Sequence, residues 1–449
     1  MARARGRRMP TEIVKSGVKL WNEAKQLIPG GNQLLSKRSE MFLPDQWPAY
    51  YKKAKGVEVW DLDGERYVDM SIMGIGTCVL GYAHDEVNQA VIKAVADGSM
   101  STLNCHEEVQ LAKKLIELHP WAQMARFART GGEACAIAVR IARVFSKKDK
   151  VAFCGYHGWS DWYLAANLSD NKNLDGQLLP GLEPLGVPRG LVGTALPFKY
   201  GDIEELKKLV MANKNEIGVI ITEVGRQKKV DVAFLKAVRE LSQEINAVLV
   251  FDEVSSGFRV TTGGMHLLYG VEPDIMVLGK ALGNGHPISA VMGRRKVMDA
   301  AQSTFISSTY WTERIGFVAA LETIKIFERD NVAQHLIETG EYISAGLKKI
   351  FAAHGLKIEI LGLPSIIVLA IQEDKALEVK TVFTQEMLKR GYLASNVIYV
   401  SLAHTKEIVD RYLHDAAEVL GRIKVVLRSG KIGELLETPV CHGGFKRLN

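Results

Sequence analysis

Apolar residues recur three and four positions apart over Lys15–Leu27, Glu86–Ala96 and Glu107–Leu118, the spacing of one buried face of an α-helix. The turn Pro29-Gly30-Gly31 closes the first of these helices. Next, "GVEVWDLDGERYVDM" alternates apolar and polar residues on either side of Asp61–Gly64, and its Asp63-Gly64 pair predicts a tight hairpin. From about residue 125 the rhythm changes. Short apolar runs at Arg126–Ala128, Val151–Cys154, Gly218–Thr222, Ala247–Asp252, Ile275–Leu278 and Ile288–Met292 are interleaved with helical stretches. Those stretches reach about Phe145, lie near Ile203–Met211 and cover Val232–Glu244. Such alternation predicts an α/β fold, a mostly parallel sheet with helices on both faces. After about residue 312 come two long helical patterns, a strand at Ser365–Ile371 and a last helix near Lys406–Leu427, which read as a smaller α+β domain.

Composition narrows the class. The chain has 449 residues, 47% apolar and 24% charged, as in a soluble globular protein of more than one domain. No run approaches the ~18 apolar residues of a membrane span. The start, "MARARGRRMP", is rich in arginine with no apolar stretch behind it, so residues 1–14 are expected to be a disordered arm rather than a secretory signal. A net charge of +6 without a basic, aromatic-laced stripe does not point to nucleic acid. Cys78, Cys105, Cys135, Cys154 and Cys441 are scattered with no CxxC pair, which favours reduced thiols and a cytoplasmic setting over disulfides or structural zinc. His106, His266 and His286 lack ligand spacing, and no metal is expected.

Two apolar runs finish on a charge: Val248–Phe251 leads into Asp252, and Ile275–Leu278 leads to Lys280. In parallel sheets ligands gather beyond the carboxyl ends of strands. Gly131-Gly132 opens an apparent helix, where free backbone N–H groups can hold a phosphate, although Thr130 and Glu133 also have capping-box spacing. Tyr156 and His157 follow another strand end. A flat aromatic cofactor bearing an aldehyde and a phosphate would use all of these. Lys280 could join the aldehyde as a Schiff base, and Asp252 could hold a protonated ring nitrogen. Gly131-Gly132 could take the phosphate, and Tyr156 and Val254 the two ring faces. This is the chemistry of pyridoxal 5′-phosphate (PLP).

Over residues 15 to 427 the chain resembles the class III aminotransferases of the fold-type I PLP family, and among them the glutamate-1-semialdehyde aminomutase branch. "TGGEA" (Thr130–Ala134), Tyr156-His157-Gly158, Asp252-Glu253-Val254, "LGKALGNGHPISAVMG" and "SLAHT" (Ser401–Thr405) carry the resemblance. It implies a seven-stranded, mostly parallel sheet in a large domain over 71–329. It also implies a smaller α+β domain built from 15–70 and 330–449. Thr130, Gly131, Gly132, Tyr156, His157, Asp252, Val254 and Lys280 match the family's cofactor site. Thr309 matches a threonine that reaches the phosphate across a homodimer interface. Glu223 matches a strand-end acid, and Arg38 falls near an arginine that contacts substrate. The implied reaction moves an amino group from a small amino donor to a carbonyl acceptor through pyridoxamine phosphate. The segments "PGGNQLLSKRSEMF" and "STYWTER" depart from the aminomutase pattern, which favours a transaminase; the aminomutase, and then an epimerase, are the alternatives.

Overall fold

The computed structural model describes residues 14–177, 180–213, 215–225, 230–446 and 448, so the arm expected over 1–14 lies outside the described residues except for Val14. Seven strands form the central sheet: β1 (Met124–Ala128), β2 (Lys150–Cys154), β3 (Ala195–Pro197), β4 (Ile217–Glu223), β5 (Val248–Glu253), β6 (Ile275–Leu278) and β7 (Ser289–Gly293). Their order is β1-β7-β6-β5-β4-β2-β3, and only β7 runs antiparallel to its neighbours. The expected mostly parallel sheet, flanked by helices, is the one observed.

The middle strands show why this sheet needs cover on both faces. Every residue of β5 is buried. Val248 and Val250 pack with Ala138 and Ile141 of helix Gly131–Ser146. The alternate residues Leu249 and Phe251 pack with Phe234, Leu235 and Val238 of helix Val232–Glu244. Period-two alternation therefore feeds two cores, as a strand buried on both faces requires. The strand β3 has no separate apolar run to announce it. It is three residues long and sits at the sheet edge, where Pro197 costs no ladder bond.

The predicted hairpin is present as Glu58–Asp61 and Arg66–Met70, with an additional outer strand Tyr51–Lys55. Tyr392–Ala394 joins this sheet parallel to Arg66–Met70, pairing Tyr392 with Val68. The two ends of the chain thus meet in one sheet. A second small sheet holds Ile358–Leu363, Ile366–Ile371 and Val397–Tyr399.

Two buried histidines hold distant chain segments together. His404 accepts from Ser401 N–H (3.0 Å) and donates from Nε2 to Asp69 O (2.9 Å). His119 accepts from Gly264 N–H (2.8 Å) and donates from Nδ1 to Leu115 O (2.7 Å). Burial lowers each to about 4, so both are neutral at pH 7. Unfolded, they would take up protons near pH 6.5. Their contribution is therefore fully present above that value and is lost as pH falls from 6.5 toward 4, on the order of 2 kcal/mol each at pH 5. Melting temperature should drop clearly between pH 7.5 and pH 5; an unchanged melting temperature would count against neutral burial.

Candidate active site

Asp252 lies at the carboxyl end of β5 and is 4% exposed. Its Oδ2 is 2.7 Å from His157 Nδ1 and receives the Cys135 thiol at 3.2 Å. Its Oδ1 accepts from Val254 N–H at 3.0 Å. Burial alone would raise this carboxyl. The His157 contact, the Val254 N–H and the Cys135 thiol more than offset it and hold the group below the usual carboxylate range. His157 is anchored in turn, its Nε2 lying 3.0 Å from Cys154 O. Cys135, Asp252 and His157 converge closely enough to suggest a metal site. Burial, however, pushes the Cys135 thiol well above its ordinary value, so it stays protonated and serves as a hydrogen-bond donor to the carboxylate.

Thr130 caps helix Gly131–Ser146. Its hydroxyl accepts from Glu133 N–H (3.3 Å), and Glu133 Oε2 accepts from Thr130 N–H (2.9 Å), a reciprocal capping box. The cap consumes the Thr130 and Glu133 amides and leaves those of Gly131 and Gly132 without an intrahelical acceptor. Side chains are excluded from this cradle. A Cβ on Gly131 would stand 2.7 Å from Val254 Cγ1, and one on Gly158 would stand 2.7 Å from Gly132 Cα. Gly158 also has φ +104°, a conformation that suits glycine. The turn after β2 can therefore close to within contact of the helix start.

Gly131→Ala isolates this crowding, because alanine otherwise favours a helix by about 1 kcal/mol. PLP affinity is expected to fall about tenfold or more, a shift of about 1.4 kcal/mol. Unchanged affinity would show that the cradle tolerates a methyl group.

Lys280 follows β6 by two residues and donates from Nζ to Ser255 Oγ at 2.6 Å. Its backbone has φ +43°, strained for a residue with a side chain, and such strain is characteristic of functional sites. Ser255 itself is 8% exposed. Residues Asp252 and Val277 are cross-strand partners in β5 and β6, so the acid and the amine occupy adjacent strand ends.

Val254 lies one residue beyond the end of β5. Its methyl groups border Gly131 and Gly279. Tyr156 is half-buried and packs edge-on against Tyr163 at 5.9 Å. Glu223 ends β4 as the cross-strand partner of Asp252, with its carboxylate against Gly155. Thr309 starts an exposed turn, Thr309–Thr312. Arg129 and Glu133 bind that turn: the Arg129 guanidinium donates to Tyr310 O (2.6 Å), and Glu133 Oε1 accepts from Trp311 Nε1 (3.1 Å). Arg38 donates to Lys446 O at 3.1 Å and lies over the Phe445 ring, partners outside the strand-end cluster.

Sequence reasoning passed over Ser255 and Cys135. Ser255 had a signal, a small hydroxyl residue directly after Asp252-Glu253-Val254. Cys135 lies one turn along the helix from Gly131, on the face turned to the sheet. The second acid of that triplet, Glu253, belongs to a different buried network. It accepts from His266 Nδ1–H (2.6 Å), whose Nε2 accepts from Trp121 (2.8 Å).

These residues fit PLP: a buried carboxylate kept charged, a side-chain-free helix start, and an amine beside them. Fold and relatives together define a PLP-dependent aminotransferase. The class-III aminotransferase family matches residues 43–423, and the chain belongs to it. The 3-aminobutyryl-CoA aminotransferase of Cloacimonas acidaminovorans (strain Evry) is 33% identical over 421 residues, covering 91% of this chain and 97% of that protein. The glutamate-1-semialdehyde 2,1-aminomutase of Thermodesulfovibrio yellowstonii (strain ATCC 51303 / DSM 11347 / YP87) is 29% identical over 428 residues, covering 90% and 98%. Likeness to the aminomutase is thus no stronger than to an aminotransferase. The FumI protein of Sphingopyxis sp. MTA144, solved with PLP, shares the fold with a TM-score of 0.84 at 24% identity, covering 94% and 99% of the two chains.

Proposed function

We propose that this aminotransferase works between two molecules, taking the amino group of a 3-amino acyl compound or β-amino acid and passing it to a carbonyl acceptor. The 33% identity to the 3-aminobutyryl-CoA aminotransferase, over 97% of its length, carries this reading. Bound PLP supplies an aldehyde that takes up the amino group and a ring that accepts electrons while the adjacent C–H bond breaks. Lys280 is the amine that holds the aldehyde in the resting enzyme. Its Nζ, steered by Ser255 Oγ, would be the base that takes up and gives back the proton of the substrate carbon. Asp252 keeps a proton on the pyridine nitrogen, and His157 and Cys135 keep Asp252 charged and in place. The Gly131 and Gly132 amides, at the positive end of their helix, hold the phosphate beside Thr130. Val254 and Tyr156 take the ring faces.

Thr309 completes the phosphate site of a second copy, in a cytoplasmic homodimer. The exposed Phe305 and Tyr310 beside it, 81% and 68% accessible, are suited to burial in that interface. Residues 15–70 and 330–449 form the small domain on the large one, 71–329. Glu223 and Arg38 are assigned to the substrate.

Incubation with an amino-donor panel tests the reading. 3-Amino acids or their thioesters should convert the cofactor from its aldehyde to its amine form, and an added 2-oxo acid should restore it. Donors of other classes converting it in their place would overturn the substrate assignment. Glutamate-1-semialdehyde aminomutase activity, suggested by the 29% identical relative, would instead proceed with no added acceptor.

A further inference from the structure

Beyond the strand-end cluster, a cavity of about 520 Å³ opens over the carboxyl ends of β2, β3 and β4. It has the size of a small-molecule site. Gly155 and Glu223 form part of its wall, and Glu223 is the cross-strand partner of Asp252. Adjacent strands lie about 4.8 Å apart, so the cavity comes within one strand of the acid assigned to the cofactor. Its walls are braced by side chains. Gln177 accepts from Gly155 N–H (2.7 Å) and donates to Phe198 O (3.3 Å), bridging the ends of β2 and β3. The Tyr200 hydroxyl donates to Val224 O (2.8 Å) and accepts from Asp231 N–H (3.2 Å).

Lys172 and Lys199 line this cavity, and among the described residues neither ammonium has a carboxylate or hydrogen-bond partner. Two carboxylates share the wall, but Glu205 turns its Oε2 to Lys199 N–H at 2.7 Å and Glu223 lies against Gly155, and neither pairs with the two ammonium groups. Two lysines without partners, on the wall of a polar cavity beside the reacting centre, are suited to an anion.

We propose that this cavity receives the non-reacting end of the amino substrate, and that this end carries an anionic group held by Lys172 and Lys199. The inference rests on the aminotransferase reading above and adds to it the charge and reach of the substrate. A distal carboxylate and a distal phosphate share the required chemistry.

The test is a steady-state comparison with the PLP-loaded enzyme and its Lys172→Ala/Lys199→Ala double variant. Three donors are used: a 3-amino acid with an uncharged side chain, one with a distal carboxylate, and a 3-amino compound with a distal phosphate. Both lysines are exposed, so their removal should leave the fold intact. For the anionic donors the double variant should lose tenfold or more in kcat/KM, mainly through KM, while the uncharged donor stays within twofold. The larger loss identifies the source of the anion. Equal effects on all three donors, or no effect on either anionic donor, would overturn the proposal. Should none of the donors convert the cofactor in the unmodified enzyme, the substrate reading fails together with this inference. Conversion that is indifferent to the two lysines removes the cavity assignment alone.

Discussion

Replacing Lys280 with alanine is expected to abolish turnover, with kcat falling by about four orders of magnitude or more and the visible band of the lysine-linked cofactor lost. The size of the effect follows from the double duty assigned to one amine, which attaches the cofactor and then moves the proton. Its side chain makes one described bond, to Ser255, so the loss should fall on chemistry rather than folding. PLP should still bind through Asp252 and the helix start, but more weakly. A Lys280→Ala enzyme with near-normal rate and spectrum would remove the residue from the mechanism.

Asp252→Asn carries the second large effect. Asparagine is nearly isosteric and can still accept from Val254 N–H, so the protein should fold. What disappears is the negative charge that burial opposes and that His157 and Cys135 sustain. Without it the ring nitrogen has no anionic partner, and kcat should fall about 10³-fold, a loss of about 4 kcal/mol of stabilisation. KM should change less, because the residue acts on the cofactor ring and not on the substrate. A rate within threefold of the parent would contradict the assignment.

Both residues were legible in the sequence for a local reason. Each closes an apolar run, and a run buried in a parallel sheet must release its next charged residue at the ligand-binding edge. The helix start at Gly131 was legible in the same way, through paired glycines and a capping box. Relations that depend on distant chain segments were not. The Cys135–Asp252 contact joins residues 117 positions apart, and Tyr392 beside Val68 depends on how the chain ends return to each other. Short edge strands such as Ala195–Pro197 are held by their neighbours and have little pattern of their own. The end of β5 at Glu253 also escaped periodicity, since the Val254 N–H turns back to Asp252 Oδ1 instead of extending the ladder.

The most direct test of the account reads the attachment point itself. The PLP-loaded enzyme is reduced with borohydride, digested, and its peptides are sequenced by mass spectrometry. A phosphopyridoxyl group on the peptide containing Lys280, and on no other lysine, is the predicted result. The same group on a different lysine, or no modified peptide from protein that has bound PLP, would contradict it.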